Sequence, residues 1–223
     1  MEKITRSKQE WIFLILLVIP FVYSAIIWNR LPESVPTHFN IHGEADRYSS
    51  KAFGAFGFPA LAVVLYFVLR YIPNIDPRKK NYEYFGKSYE NIRLVIAVFI
   101  LIIYFILMQA ALGNSVLVQP RFIFSAVFLL FAMLGNYMRN IRPNFFVGIR
   151  TPWTLDSPEV WRKTHELGGK IWFYGGLTGV LLSFILPQND LPYLSITMII
   201  ILTLIPVVYS YAEFQKIKKQ EKN

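Results

Sequence analysis

The chain has no cysteine, which excludes disulfide staples, thiolate metal sites and cysteine nucleophiles together. Charge is scarce too. Asp, Glu, Lys and Arg form 17% of the 223 residues, where a soluble domain carries about a quarter. Histidine occurs only at 38, 42 and 165. No HExxH, GxSxG or P-loop string is present, so the commoner hydrolase and nucleotide-binding signatures are missing. The residues point to no enzyme and call for no cofactor.

What fills the chain instead is apolar: 54% of residues are hydrophobic and the mean hydropathy is +0.39. Six segments, 11–28, 52–69, 94–113, 122–138, 171–187 and 191–212, contain no Asp, Glu, Lys or Arg. About 20 residues of helix cross the ~30 Å hydrocarbon core of a bilayer. These runs predict an all-α, polytopic integral membrane protein with six transmembrane helices. The first run follows a charged start, but it is long for a signal peptide and no A-x-A site follows it, so we expect a retained span.

The connectors orient the chain. With both termini in the cytoplasm, nineteen of the 23 Lys and Arg fall inside, and only Arg30, Arg47, Lys51 and Arg121 fall outside. The inner set includes Lys3, Arg6 and Lys8 before the first run and Lys216, Lys218, Lys219 and Lys222 after the last. A Lys and Arg bias of this kind marks the cytoplasmic side. The expected location is a cell membrane, with lipid as the first partner. Basic residues distributed as topology demands give no case for direct nucleic-acid binding.

Two connectors carry most of the remaining polarity. The outer one, 29–51, reads "NRLPESVPTHFNIHGEADRYSSK". Pro32 and Pro36 forbid a helix through it, His42-Gly43 suits a turn, and Lys51 opens the second run. Imidazoles and carboxylates at His38, His42, Glu44 and Asp46 could in principle hold zinc, although their spacing matches no zinc signature. A plain folded loop is the stronger expectation. On the inner side, Asp76-Pro77 resembles a helix N-cap and first residue leading toward the third run. The long inner connector, 139–169, contains "GIRTPWTLDSPEVWRKTHELGG". Asp156 or Ser157 can cap a helix that starts at Pro158, with Glu159 at its positive end. Gly168-Gly169 suits its end and a hinge to the fifth run. Two readings stand for this stretch. It is an interfacial helix anchoring spans four and five, or a cytoplasmic docking surface built on Arg150, Trp153, Trp161, Arg162 and His165, since Arg and Trp are common binding anchors.

The string "GIRTPWTLDSPEVWRKTH" resembles the signature of the Sdp immunity protein (SdpI) family. It places that motif at Gly148, Ile149, Arg150, Thr151, Pro152, Trp153, Thr154, Leu155, Val160 and Trp161. "LPESVPTHFNIHGEADRYSSK" after a first run, with "IDPRK" after the second, resembles the DUF1648-type module often joined to it. The resemblance implies a bacterial multi-pass protein that resists a secreted, membrane-active peptide toxin. It also implies that the engaged protein signals by holding a small transcriptional repressor at the membrane. On this basis 1–93 is a two-span N-terminal module and 94–223 a four-span SdpI-like module. The alternative is a facilitator of a small molecule. The runs lack the ionisable groups that mark ion-coupled pathways, so a proton-coupled carrier is disfavoured.

Overall fold

The computed structural model describes residues 8–114 and 116–220. Lys3, Arg6 and Lys222, part of the charge bias above, lie outside the described residues. Seven helices dominate. α1 spans Lys8–Ile27, α2 Lys51–Ile75, α3 Tyr82–Ala111, α4 Pro120–Met138, α5 Pro152–Asp156, α6 Pro158–Ile185 and α7 Leu191–Gln220. Five of them, α1, α2, α3, α4 and α7, are long and apolar enough to cross a membrane. The fifth apolar run lies in α6, which is long enough but diluted by Gly168, Gly169, Gly175, Gly176 and Gly179, and it is not among the five.

Those glycines have a packing role. A Cβ on Gly176 would lie 2.5 Å from the backbone nitrogen of Ala132, and one on Gly135 of α4 would lie 2.5 Å from that of Phe173. α4 and α6 therefore touch backbone to backbone, the close approach that small residues permit between helices in lipid. It is the most extensive helix contact in the molecule. The pair at Gly168-Gly169 does not end a helix: α6 runs unbroken through it. A Cβ on Gly169 would meet Gly135 O at 2.9 Å, and one on Gly168 would meet Ile149 Cδ1 at 2.5 Å. Close packing, not hinging, explains both.

The outer connector forms a two-stranded antiparallel hairpin, β1 (Ser34–Phe39) and β2 (Ala45–Ser50), an addition to the expected helices. Asn40 shapes its turn. Its side-chain oxygen accepts from the N–H groups of His42 (2.9 Å) and Glu44 (3.0 Å). Gly43 supplies a positive φ of 82°. β1 packs on the start of α2, where Val35 is fully buried and Gly54 leaves room for it. Ser50 then caps α2 by accepting from Phe53 N–H. At this hairpin end Ile27, Leu31, Val35, Ala55, Tyr104, Leu107 and Met108 form one core. A second, aromatic core of Tyr82, Phe85, Tyr89, Met138, Ile149 and Trp161 closes the opposite end.

At that opposite end Asp76 does not begin α3. It is the C-cap residue of α2, and a 3₁₀ turn over Lys79–Asn81 separates it from Tyr82. Its buried carboxylate accepts from Arg78 N–H (2.7 Å), Tyr82 OH (3.0 Å) and, 69 residues away, Phe145 N–H (3.0 Å). A carboxylate held by three donors is better satisfied there than at a solvent-facing helix start.

Candidate functional site

The SdpI-like string folds into a closed clasp that lies between α4 and α6 and against α7. The clasp begins with Asn144, whose buried side chain folds back on its own loop. It accepts from Phe146 N–H (2.9 Å) and Val147 N–H (2.6 Å) and donates to the carbonyls of Arg142 and Val147. The chain then passes through Gly148 at φ 111°. A Cβ there would sit 2.3 Å from His165 Nε2, so glycine is required both by conformation and by space.

His165 is the centre of the clasp. It is 1% exposed and stacks on Trp161, with ring centroids 4.1 Å apart and an interplanar angle of 17°. Nδ1 lies 2.8 Å from Trp161 O, and Nε2 accepts from Ile149 N–H at 3.0 Å. A backbone amide can only donate, so Nε2 carries the lone pair and Nδ1 the proton. Burial holds the neutral form and pushes the imidazole pKa down to about 4. Trp161, also 1% exposed, donates from Nε1 to Ile141 O at 2.8 Å.

The next residues build a one-turn helix. Thr151 is the N-cap of α5, and it and Thr154 accept from each other's backbone N–H at 3.2 and 2.9 Å, a reciprocal cap that satisfies two otherwise free donors. Pro152 takes the first helical position, where no N–H is needed. Thr154 also donates toward Ile149 O, and Thr151 Oγ1 lies 3.0 Å from Ser210 Oγ of α7. Trp153, partly buried, packs on Tyr211 of α7 with centroids 4.9 Å apart. Ser157 caps α6 by accepting from Val160 N–H, with Pro158 following as expected. Lys163 joins α6 to α7 by pairing with Glu213, and it also meets Glu159 at 2.9 Å. These carboxylates raise the Lys163 pKa.

The expected docking residues therefore divide. Thr151, Thr154, Val160, Trp161 and His165 are interior. Arg150 and Arg162 are exposed, and so are Phe145 and Phe146, which flank the clasp. Arg150 Nη1 donates to Phe145 O at 2.5 Å, holding the loop's exposed edge. A surface that binds a partner here excludes Trp161 and His165, because the clasp has folded over them.

The clasp is also tied to the N-terminal part of the chain. Besides the Asp76 to Phe145 bond, Arg78 Nη2 donates to Leu155 O (3.0 Å) and its guanidinium lies 5.0 Å from the Phe145 ring centroid. Asn81 Nδ2 donates to Pro143 O at 2.6 Å. These links were not visible in the sequence, where "DPRKKN" and "IRPNFF" are more than 60 residues apart. A second missed cluster joins α1, α2 and α3 near the same end. Glu10 meets Arg70, Tyr66 and, at 3.7 Å, Arg93. The Arg93 guanidinium lies 4.9 Å from the Phe13 ring and 5.2 Å from the Tyr66 ring. Its only hint in the sequence is that Glu10, Arg70 and Arg93 each border an apolar run.

At the hairpin end, His38 Nδ1 is 2.5 Å from Asp46 Oδ1, and Asn40 donates to Glu44 at 2.9 Å. The hydrogen bond to His38 lowers the Asp46 pKa. Among the described residues no three metal-binding side chains converge, and this pairing divides the four residues considered for zinc. Pro36 and Lys51 belong to the hairpin and its junction with α2, while Pro32 lies exposed just before β1. Pro36 sits within β1, and Lys51 N–H bonds Glu33 O at 3.0 Å. The hairpin tip rests on the start of α4, where Gly43 leaves only 3.1 Å between a would-be Cβ and Pro120 Cδ. A small apolar cavity of about 170 Å³ opens there, lined by Phe39, Ile41, Pro120, Ile123 and Phe124.

Comparison with known proteins bears out both resemblances. Residues 140–210 match the SdpI/YfhL protein family, and residues 15–63 match a domain of unknown function, DUF1648. The chain is 26% identical over 212 residues to the Immunity protein SdpI of Bacillus subtilis (strain 168), across 95% of this chain and 97% of that one. No solved structure matches it.

Proposed function

Because the chain joins a DUF1648 segment to an SdpI/YfhL-family segment, we propose that it is a bacterial multi-pass membrane protein conferring immunity to a secreted, membrane-active peptide toxin. The observation that carries this reading is the end-to-end similarity to an immunity protein, which takes in both segments rather than one. In this reading α6 is a sixth span, packed on one side against α4 and α7 and exposing Tyr174, Leu181 and Ile185 on the other. Both termini and the clasp face the cytoplasm, and the hairpin faces out. Residues 1–93 and 94–223 act as two modules.

The toxin is met at the hairpin end. The cavity beneath the hairpin tip is apolar and open to the flank of α4, a fit for a hydrophobic side chain of a peptide already dissolved in the bilayer. The clasp end supplies the cytoplasmic surface, with Arg150, Arg162, Phe145 and Phe146 exposed. A repressor held there would be recruited by toxin only if the toxin favours one of two arrangements of the chain. The ties of Asp76, Arg78 and Asn81 to the clasp offer a route between the modules.

The test is a challenge assay. The chain is expressed in bacteria sensitive to an Sdp-type toxin, toxin is added, and membrane potential is followed with a dye. The expected result is a preserved potential, lost when Arg150→Ala and Trp153→Ala are combined at equal membrane abundance. Collapse of the potential despite good expression of the unchanged chain would refute immunity to that toxin.

A further inference from the structure

Beside the clasp, between the end of α4 and the polar first half of α6, lies a groove of about 500 Å³. Arg139, Arg162 and Lys170 border it, together with Glu166, Phe173 and Tyr174. Glu166 pairs with Lys170 at 3.0 Å and more loosely with Arg162 at 3.8 Å. Among the described residues the Arg139 side chain makes no hydrogen bond or ion pair, although, with Lys170 and Arg162, its charge helps lower the Glu166 pKa. Three cations thus share one carboxylate, and the groove keeps a net positive charge. Its floor is Gly135 and Gly169, where the two helices touch, so no side chain fills it.

The groove straddles a chemical border. The apolar run of α4 ends at Met138, immediately before Arg139. That of α6 begins at Ile171, immediately after Lys170. Arg139 and Lys170 therefore sit at the edge of the apolar zone, with Arg162 about two helical turns farther from it, while Phe173 and Tyr174 lie inside it. Tyr174 is 66% exposed, at the level where aromatic side chains mark the membrane interface. We propose that this groove binds the headgroup of an anionic phospholipid, with its phosphate between Arg139, Arg162 and Lys170 and its first acyl carbons along Phe173 and Tyr174. Basic pockets between membrane helices take such headgroups. An acidic peptide would satisfy the cations but would leave the aromatic half of the groove uncovered, so the lipid is the better match. This assignment does not depend on the immunity reading.

The test uses the purified full-length protein in nonionic detergent, with native mass spectrometry to measure retention of dioleoylphosphatidylglycerol and dioleoylphosphatidylcholine. The anionic lipid is expected to bind more tightly. Each basic residue near a membrane surface contributes about 1 kcal/mol toward anionic lipid, which is about fivefold at 1.4 kcal/mol per tenfold. Arg139→Gln with Lys170→Gln should thus weaken binding roughly thirtyfold. Lys218→Gln with Lys219→Gln, in the tail, should change it little. Glu166→Gln frees two cations and should tighten binding, an outcome that mere loss of structure would not produce and that decides the matter if the double variant fails to fold. Equal weakening by the tail variant would overturn the proposal, as would weaker binding by Glu166→Gln. Displacement of the lipid by glycerol phosphate would assign the site to a free phosphate ligand. Displacement by an oligoglutamate peptide would assign it to an acidic protein segment. Either displacement would refute the lipid assignment.

Discussion

Acidification should loosen the clasp through a single side chain. His165 is neutral in the fold, with Nε2 accepting from Ile149 N–H at 3.0 Å and Nδ1 facing Trp161 O. Adding a proton at Nε2 would set one N–H against another, inside a site with 1% exposure. Burial lowers the folded pKa to about 4 from an ordinary value of 6.5. The unfolded chain therefore takes up the proton first, and stability falls as pH drops through 6.5. The loss grows by about 1.4 kcal/mol per pH unit until the folded value is reached. At pH 5 it amounts to about 2 kcal/mol, and it levels off below pH 4 at about 3 kcal/mol. The assay is thermal unfolding of the purified protein in detergent at pH 8, 6 and 5, followed by tryptophan fluorescence. His165→Gln is measured alongside, because it keeps every other titrating group. The unchanged protein should lose about 2 kcal/mol more than His165→Gln between pH 8 and pH 5. Parallel losses would show that His165 is not buried neutral and would refute the geometry of the clasp.

The same site predicts that Gly148→Ala is severe. A non-glycine residue at φ 111° is strained by about 1–3 kcal/mol, and displacing His165 leaves Ile149 N–H unpaired at a further cost of about 1–3 kcal/mol; the thermal midpoint in detergent should fall accordingly. Gly176→Ala should force α4 and α6 apart by roughly 1 Å at a cost of about 1–3 kcal/mol. Gly86→Ala, where a Cβ meets nothing within 4 Å, should be neutral or stabilising in the same melt. For orientation, a cysteine at exposed Ser34 should react with an impermeant thiol reagent on intact cells and one at exposed Asp156 should not. The reverse pattern would overturn the proposed topology.

Much of the architecture is written in short-range patterns. The six apolar runs reappear within α1, α2, α3, α4, α6 and α7. Ser157-Pro158 starts α6 and His42-Gly43 lies in the hairpin turn because caps and tight turns are set by a few adjacent residues. What escaped detection is what depends on distant partners. Asp76-Pro77 has the local look of a helix start, yet Phe145 N–H and Tyr82 OH draw the carboxylate into a buried cap. Gly168-Gly169 looks like a helix end, yet contacts with α4 and Ile149 make both glycines packing residues. Trp161 and His165 have the chemistry of exposed binding anchors, yet the folding back of 141–149 seals both inside, through bonds to Ile141 O and Ile149 N–H that the sequence does not announce.

The hairpin tip on Pro120 and the Asp76 to Phe145 bond join the same two halves of the molecule at opposite ends of a 30-residue helix. At 1.5 Å per residue that helix is about 45 Å long. The arrangement is mechanically that of a beam pinned at both supports. Neither half can swing about a single joint, so a load applied at one end cannot dissipate as pivoting. It has to emerge as axial sliding or as torsion along α3 and α4. Cutting the covalent link at 111–120 would leave both pins in place, so the two fragments should reassemble when produced together.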